Sequence, residues 1–289
     1  MSGASTRAAA LDARALGSAI QLLERVEAMP DDATGALAFG EEGAIFVEGG
    51  QICWAVAPNM RTRLVELVCR ESTAQVAREA VDAVLARCTR DSVPLGEGLV
   101  ASGLVSEAGV RSALARHTGE AIARLGQLRG LPVSFRAHRR RTYAPPFVFS
   151  TFELLACLGA PEQAALVERA EAHLAALLVP DASGFAFACG SLGADPRIVA
   201  VDRRTSLRVT DAMQIARWAL ALHETAQALG EPSSLACASW CERTAIVTWR
   251  ERELGYAALC RSRPASTRLL STLAARGHAP AEGAGEGGP

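Results

Sequence analysis

The first 60 residues change their hydrophobic period from that of a helix to that of short strands. Apolar residues recur every three or four positions over residues 11 to 28, which predicts an amphipathic helix that ends before Pro30. Three short apolar runs follow, at residues 34 to 39, 43 to 48 and 51 to 56. Gly49 and Gly50 separate the last two runs, and glycine tolerates the positive φ angles of a tight turn. The pattern therefore predicts a small antiparallel β-meander.

Helical spacing returns after the meander. Residues 60 to 90 carry one apolar stripe, which predicts a helix. The segment from Leu95 predicts a short helix that Gly103 ends and a longer helix that begins at Ser106. The pair has the shape of a helix-turn-helix, but acidic residues offset the arginines of its second helix, whereas a DNA reader needs a cationic face. We therefore expect no nucleic-acid partner.

The next segment contains the basic cluster of the chain. Residues 131 to 149 predict a strand and then an extended stretch, which close the first of two domains. The cluster lies within this segment and consists of Arg136, His138, Arg139, Arg140 and Arg141. A solvated loop would explain these residues. A docking patch for an anion or a protein partner would also explain them, because the arginine guanidinium pairs well with carboxylates and phosphates.

The second half of the chain alternates between helices and strands. Its pattern predicts a helix, two strands, a long helix, three strands and a last helix. The predicted helices are residues 166 to 178, 211 to 229 and 265 to 276, and the predicted strands are residues 184 to 189, 197 to 202, 234 to 240, 245 to 250 and 254 to 261. Thr210 or Asp211 is the expected N-cap of the long helix. The predicted fold class is α+β, with a five-stranded antiparallel sheet and flanking helices in the C-terminal domain.

Composition narrows the class of protein. The 30 basic and 31 acidic residues give a formal net charge of -1, which supplies no field to steer the chain onto nucleic acid or an anionic membrane. No segment approaches the roughly 20 apolar residues of a membrane span, and no signal peptide is recognisable. The eight cysteines form no C-x-x-C pair and lie mostly in apolar segments, where a thiol packs as a small hydrophobe. We expect a cytoplasmic protein without a metal or a cofactor.

Two of the four tryptophans are candidate interface residues. Trp240 and Trp249 flank the predicted turn of a hairpin, which would make them cross-strand neighbours. Buried rings would act as core anchors, as we also expect of Trp54 in the N-terminal hairpin. An exposed tryptophan on an edge strand would instead be a binding hot spot. Both interpretations stay open for Trp240 and Trp249.

The sequence contains no recognisable catalytic motif. A nucleophile needs a neighbouring base and a carboxylate, and the chain has no G-x-S-x-G, H-E-x-x-H or Walker pattern and no G-x-G-x-x-G that opens a helix. We therefore assign no catalytic residue and expect that the protein is not an enzyme. An enzyme in which Cys237 or Cys241 meets a histidine and a carboxylate remains an alternative.

The first half of the chain resembles a known bacterial domain. The stretch TGALAFGEEGAIFVEGGQICWAV is followed by a helix and then by LGEGLVASGLVSEAGVRSAL. This order resembles the PATAN (DUF4388) domain, whose pattern is a glycine-containing hairpin ending in F-x-x-G-x-I-x-x-A. Phe46, Ile52 and Ala55 match its other positions, and either Gly49 or Gly50 matches its glycine, which allows a shift of one residue. The resemblance implies an interaction module of bacterial signalling proteins, with no catalytic residues.

The second half resembles the roadblock/LC7 domain in element order and length. The first hairpin, the long helix and the last hairpin read AFACGSLGADPRIVAVD, TDAMQIARWALALHETAQAL and TAIVTWRERELGYAALC. The connection from Gly193 to Pro196 departs from the simpler Asp-x-x-Gly turn of many members, and a profilin-like or sensor-type fold has a similar sheet. The resemblance implies dimerisation and the binding of small Ras-like GTPases, or a role as a scaffold subunit.

Together these features predict a non-catalytic bacterial signalling adaptor or regulatory subunit that acts through protein-protein interaction. Residues 11 to 157 form the predicted PATAN-like domain, residues 159 to 278 form the predicted roadblock-like domain, and residues 279 to 289 form a tail that is expected to be disordered. The first domain would dock a protein partner. The second would form a homodimer or regulate a small Ras-like GTPase. A small-molecule or nucleotide sensor with an apolar pocket is the further alternative.

Overall fold

The computed structural model describes residues 13–71, 77–128, 133–137, 147–159, 164–177, 183–192, 195–202, 207–228, 230, 235–241, 244–277 and 279–280. The chain divides into two units. One unit comprises residues 17–158 with 208–210, and the other comprises residues 1–16, 159–207 and 211–289. Helices and antiparallel strands occur in both units, which confirms the predicted α+β class.

The first unit combines helices with a four-stranded antiparallel sheet. In chain order its elements are α1 (Ala13–Glu27), β1 (Gly35–Phe39), β2 (Gly43–Glu48), β3 (Gln51–Val56), α2 (Arg61–Glu71), α3 (Arg78–Asp91), α4 (Leu95–Ala101), α5 (Glu107–Gln127), β4 (Val133–Ala137) and α6 (Thr151–Gly159). The strands lie in the order β3-β2-β1-β4. The fourth strand lies beside the first, and it falls within residues 131 to 149, the segment for which the sequence predicts a strand.

The predicted meander forms almost to the residue. Strands β1, β2 and β3 pair antiparallel, with Ile45 opposite both Leu37 and Ala55. The φ angles of Gly49 and Gly50 are 56° and 72°, so the turn between β2 and β3 uses the left-handed conformation that favours glycine. The predicted N-cap of α5 also forms, because the Ser106 hydroxyl accepts a hydrogen bond of 3.1 Å from the Gly109 backbone N–H.

The single helix predicted over residues 60 to 90 is wrong. Two helices occupy this stretch, since α2 ends at Glu71 and α3 begins at Arg78. The stripe of apolar residues continues across both, which is why periodicity alone does not show the break. The backbone of Ala77, directly before α3, is extended, with φ -66° and ψ 136°, so one continuous helix cannot run through this position.

Arg111 of α5 holds the segment that leads into α6. Its guanidinium donates one hydrogen bond of 3.0 Å to the Val148 carbonyl and another to the Glu153 carboxylate. It also lies 4.8 Å from the centre of the Phe149 ring. Phe149 exchanges backbone hydrogen bonds of 2.9 and 2.7 Å with Ile52 of β3. These contacts join α5, β3 and α6 through one short stretch of chain.

We expect Arg111→Ala to lower the free energy of unfolding by about 2 to 3 kcal/mol, because the Glu153 carboxylate and the Val148 carbonyl lose charge-assisted partners. Urea unfolding monitored by circular dichroism measures this loss. The matched control is Arg116→Ala on the same helix, whose ion pair with Glu71 has a longer N–O distance of 3.7 Å and should contribute no more than about 1 kcal/mol. Equal losses for the two variants would contradict the special role of Arg111.

In its described part, the second unit combines three helices with a larger sheet. Its elements are α7 (Ala164–Leu177), β5 (Ser183–Leu192), β6 (Asp195–Val201), α8 (Val209–Ala228), β7 (Leu235–Cys241), β8 (Thr244–Glu251), β9 (Leu254–Cys260), α9 (Arg263–Ala275) and β10 (Ala279–Pro280). The five predicted strands form consecutive antiparallel pairs in the order β7-β8-β9-β5-β6. The predicted N-cap of the long helix needs correction, because α8 begins at Val209 and Thr210 and Asp211 lie in its first turn.

The sixth strand, β10, corrects the prediction that the tail is disordered from residue 279. Ala279 and Pro280 pair in parallel with Leu235 and Ala236 of β7. The pairing gives the edge of β7 a neighbour at this end, which is one way in which proteins protect a sheet edge. Residues 281–289 lie outside the described part of the chain.

Helices α7 and α9 cover one face of the second sheet, and α8 lies on the other. Tyr256 and Ala258 of β9 belong to the same buried cluster as Leu174 of α7 and Leu273 of α9. Neighbouring side chains of a strand point to opposite faces, so Gly255 lies on the other face. A Cβ atom at Gly255 would be 3.5 Å from Cδ2 of Leu220 in α8, which places α8 there.

Candidate functional site

One large aromatic side chain is exposed on the long helix of the second unit. The exposed large apolar side chains among the described residues are Val56, Val93, Phe135 and Trp218. Trp218 lies on α8 and is 39% exposed. Ile215 and Leu222 are half-buried and lie three positions before and four positions after it, so the three share one face of the helix. We call Ile215, Trp218 and Leu222 the α8 stripe.

The face of α8 toward the sheet holds both small and larger side chains. Ala212, Ala216 and Ala219 are fully buried, Met213 is 4% exposed, and a Cβ atom at Gly255 of the sheet would lie close to Leu220. The α8 stripe lies beside this buried face, and Trp218 at its outer margin is 39% exposed. The α8 stripe is therefore apolar surface that the fold of this unit leaves partly in water, as is typical of surfaces that bind another molecule.

Trp249 is buried, which corrects its candidate role as an exposed interface residue. Its relative exposure is 0%, as the core interpretation requires. The register also separates the two tryptophans, since Trp249 lies opposite Ala236 and Trp240 lies opposite Ala245. They are not cross-strand neighbours. The side chain of Trp240 is outside the described residues, so its role as an interface residue stays a prediction.

Trp249 belongs to a hydrogen-bonded aromatic cluster at the end of the β8–β9 hairpin. Its indole N–H donates a hydrogen bond of 3.1 Å to Nε2 of His173. Nδ1 of His173 lies 2.6 Å from a carboxylate oxygen of Glu251. Tyr256 stacks on Trp249 with 5.3 Å between ring centres, and burial raises the pKa of Tyr256 to about 12, with a smaller contribution from Glu251.

The His173 cluster is arranged for packing rather than for base catalysis. A general base needs a free ring nitrogen that faces its substrate. Here the indole N–H occupies Nε2 and the Glu251 carboxylate occupies Nδ1. The carboxylate fixes the proton on Nδ1, so Nε2 accepts the indole hydrogen bond. This arrangement leaves His173 as a structural bridge from α7 to the hairpin.

The described cysteines also favour packing. Burial raises the pKa of Cys53 and of Cys189 to about 12 and that of Cys260 to about 11, and a protonated thiol is a poor nucleophile and metal ligand. The described residues contain no group of three or more histidine, cysteine, aspartate or glutamate side chains placed to hold a metal ion. The side chains of Cys237 and Cys241 lie outside the described part, so the enzyme alternative that uses them stays open.

In the first unit, Trp54 anchors the hairpin to α5 by stacking on a buried histidine. The rings of Trp54 and His117 lie 4.5 Å apart and 11° from parallel. His117 is only 2% exposed, and its Nε2–H donates a hydrogen bond of 3.2 Å to the Met60 carbonyl. Burial is the main cause that lowers the pKa of His117 to about 4. The neutral ring can stack and donate without an uncompensated buried charge.

We expect His117 to make the stability of the first unit depend on pH. The unfolded chain takes up a proton near pH 6.5, whereas the folded state does so only near pH 4. The contribution of His117 to the free energy of unfolding is therefore complete above pH 6.5. About 3 kcal/mol of it is lost as the pH falls from 6.5 to 4. Urea unfolding at several pH values should show a smaller loss in His117→Gln, which keeps an N–H donor and removes the titration. An unchanged pH dependence would contradict this account.

The structure describes only one residue of the basic cluster. Arg136 lies on β4, a strand and not a loop, and its side chain is exposed. The remaining residues of the cluster, His138, Arg139, Arg140 and Arg141, lie outside the described residues. Their role in binding an anion or a protein partner stays a prediction. Arg136 takes part in none of the ion pairs found among the described residues.

Sequence reasoning did not single out Trp218 as a binding residue. Helical spacing places Trp218 beside the polar positions Gln214 and Thr225, at the border of the apolar face of the predicted helix. Periodicity does not say how far round the helix the sheet reaches, so the sequence could not show whether this ring would be covered.

No protein-family model, curated protein or solved structure matches this chain. None of the described helices combines the length and the apolar character that a membrane span requires.

Proposed function

We propose that the protein is a signalling adaptor that works by binding other proteins, including a second copy of itself. The observation that carries the proposal is the α8 stripe, an aromatic side chain with apolar neighbours on the outer side of a helix. The resemblance of the chain to PATAN-like and roadblock-like modules supports the same function. The ring of His173, which pairs with Glu251, also accepts a hydrogen bond from the Trp249 indole N–H, an arrangement suited to packing.

Self-association is the use of the α8 stripe that its chemistry supports best. In a twofold dimer the same patch of each copy meets its counterpart, and an apolar stripe is complementary to itself. Tryptophan is also the side chain that most often dominates the binding energy of an interface. A standard interface buries about 800 Å² on each partner, so the stripe would form the centre of a contact that includes its neighbours on α8.

We expect the full chain to form a dimer and Trp218→Glu to form a monomer, because a carboxylate at the centre of an apolar interface is desolvated without a partner. Size-exclusion chromatography with light scattering, over a range of concentrations, gives the mass in solution. The control is Ser271→Glu, which adds the same charge at an exposed position of α9. A wild-type mass of one chain at every concentration would contradict self-association through α8.

The roadblock resemblance points to a small Ras-like GTPase as a partner, whose activity the protein would regulate. Addition of the protein should then change the rate of nucleotide exchange or of GTP hydrolysis on a Ras-like GTPase from the same genome. A fluorescent nucleotide monitors the first rate and phosphate release the second. Unchanged rates across these GTPases would remove this partner and would leave the self-association unaffected, because the mass measurement does not involve a GTPase.

A further inference from the structure

The two edges of the first sheet differ in what lies beside them. At the β3 edge, Ile52 and Phe149 exchange two backbone hydrogen bonds, so the chain itself occupies part of that edge. At the other edge, β4 pairs with β1 from Val133 to Ala137. Among the described residues, no backbone hydrogen bond reaches β4 from its outer side. Within the described part of the chain, no strand lies beside the N–H and C=O groups of β4 that point away from β1.

The side chains of β4 are those of a surface strand. Ser134, Phe135, Arg136 and Ala137 are all exposed, and Phe135 is 42% exposed although it is a large aromatic residue. Gly35 of β1 makes room for this ring, because a Cβ atom there would lie 2.7 Å from Cζ of Phe135. The ring thus lies against the backbone of β1 with much of its surface in water.

Natural sheets protect an open edge with proline, with bulges or with several charges. Strand β4 contains no proline, its pairing with β1 runs without a register shift, and Arg136 is its only charged residue. A strand of this kind, with an exposed aromatic ring and an arginine at its edge, can accept an extended peptide. Main-chain hydrogen bonds then give affinity, and alternate side chains give specificity.

We propose that β4 binds an extended acidic segment of a partner protein as an additional strand of the first sheet. The proposal rests on the adaptor function proposed above and names the chemistry of one partner. An apolar side chain of the segment packs on the Phe135 ring. A carboxylate on the neighbouring position pairs with Arg136, which is exposed and forms no ion pair among the described residues.

Charge favours this occupant over a second copy of β4. Pairing two copies of β4 would bring two positive strands together, and like charges that face each other across a strand pair are destabilising. A segment rich in glutamate or aspartate would instead be attracted to Arg136 of β4.

The test uses the full chain and a fluorescein-labelled peptide in which valine and glutamate alternate. Fluorescence polarisation should detect binding to the wild type, and Arg136→Glu should weaken it about fivefold, the equivalent of one exposed ion pair. The same variant should gain affinity for a peptide with lysine in place of glutamate. Arg87→Glu is the matched control, because Arg87 is an exposed arginine on α3. Its affinity for the acidic peptide should be unchanged.

Strand addition has a signature that simple charge attraction lacks. Alternate amides of an added strand bond to the sheet and the others face away. Methylation of the peptide nitrogens on one set of alternate residues should abolish binding, whereas methylation of the other set should preserve it. Phe135→Ser should also weaken binding of the unmodified peptide. Equal binding of the two methylated peptides, or no binding by the wild type, would overturn the proposal.

The outcome is separable from that of the adaptor proposal. Trp218→Glu changes the surface proposed for self-association and should bind the acidic peptide as the wild type does. A dimer that ignores the peptide would overturn only the assignment of β4. A change in oligomeric state on Phe135→Ser would instead show that a second copy occupies β4, which would also overturn the assignment.

Discussion

This architecture depends on what happens at the edges of its sheets. The backbone N–H and C=O groups of an edge strand must either find hydrogen-bond partners or face water. Both units contain open sheets, and the described strands give each sheet two edges. Phe149 lies beside β3 and β10 lies beside β7. The edge strand β6 contains Pro196, and its pairing with β5 is interrupted by a register shift. Strand β4 has none of these protections among the described residues, which is why it stands out as a surface for a partner.

Much of this architecture could be predicted from the sequence because it depends on local chemistry. The positive φ angles of Gly49 and Gly50 and the capping by Ser106 involve residues close together in the chain, and the sequence shows them directly. The break between α2 and α3 was missed because both helices continue the same apolar period. The pairing at Ala279 was missed because the strand lies in a tail rich in glycine and alanine, whose composition carries no strand signal.

The candidate surfaces were harder to predict, because exposure depends on which faces the fold covers. Strand β8 is apolar on both sides of its period, so the pattern could not decide whether Trp249 faces helices or solvent. Register excluded its pairing with Trp240, since Trp240 lies next to the turn and Trp249 lies near the far end of β8. Trp218 presents the converse case, an aromatic residue in a helical pattern that is exposed because it lies at the margin of the buried face of its helix.

The two proposed surfaces use different physics, and this difference suits an adaptor. The α8 stripe offers apolar area, for which affinity depends on shape and on the removal of water and changes little with salt. The β4 edge offers directional backbone groups and the exposed guanidinium of Arg136, so recognition there depends on an extended conformation and on charge. A chain that carries both can hold a second copy through one unit while it selects a different partner through the other. Neither proposed contact uses the side chains of the other.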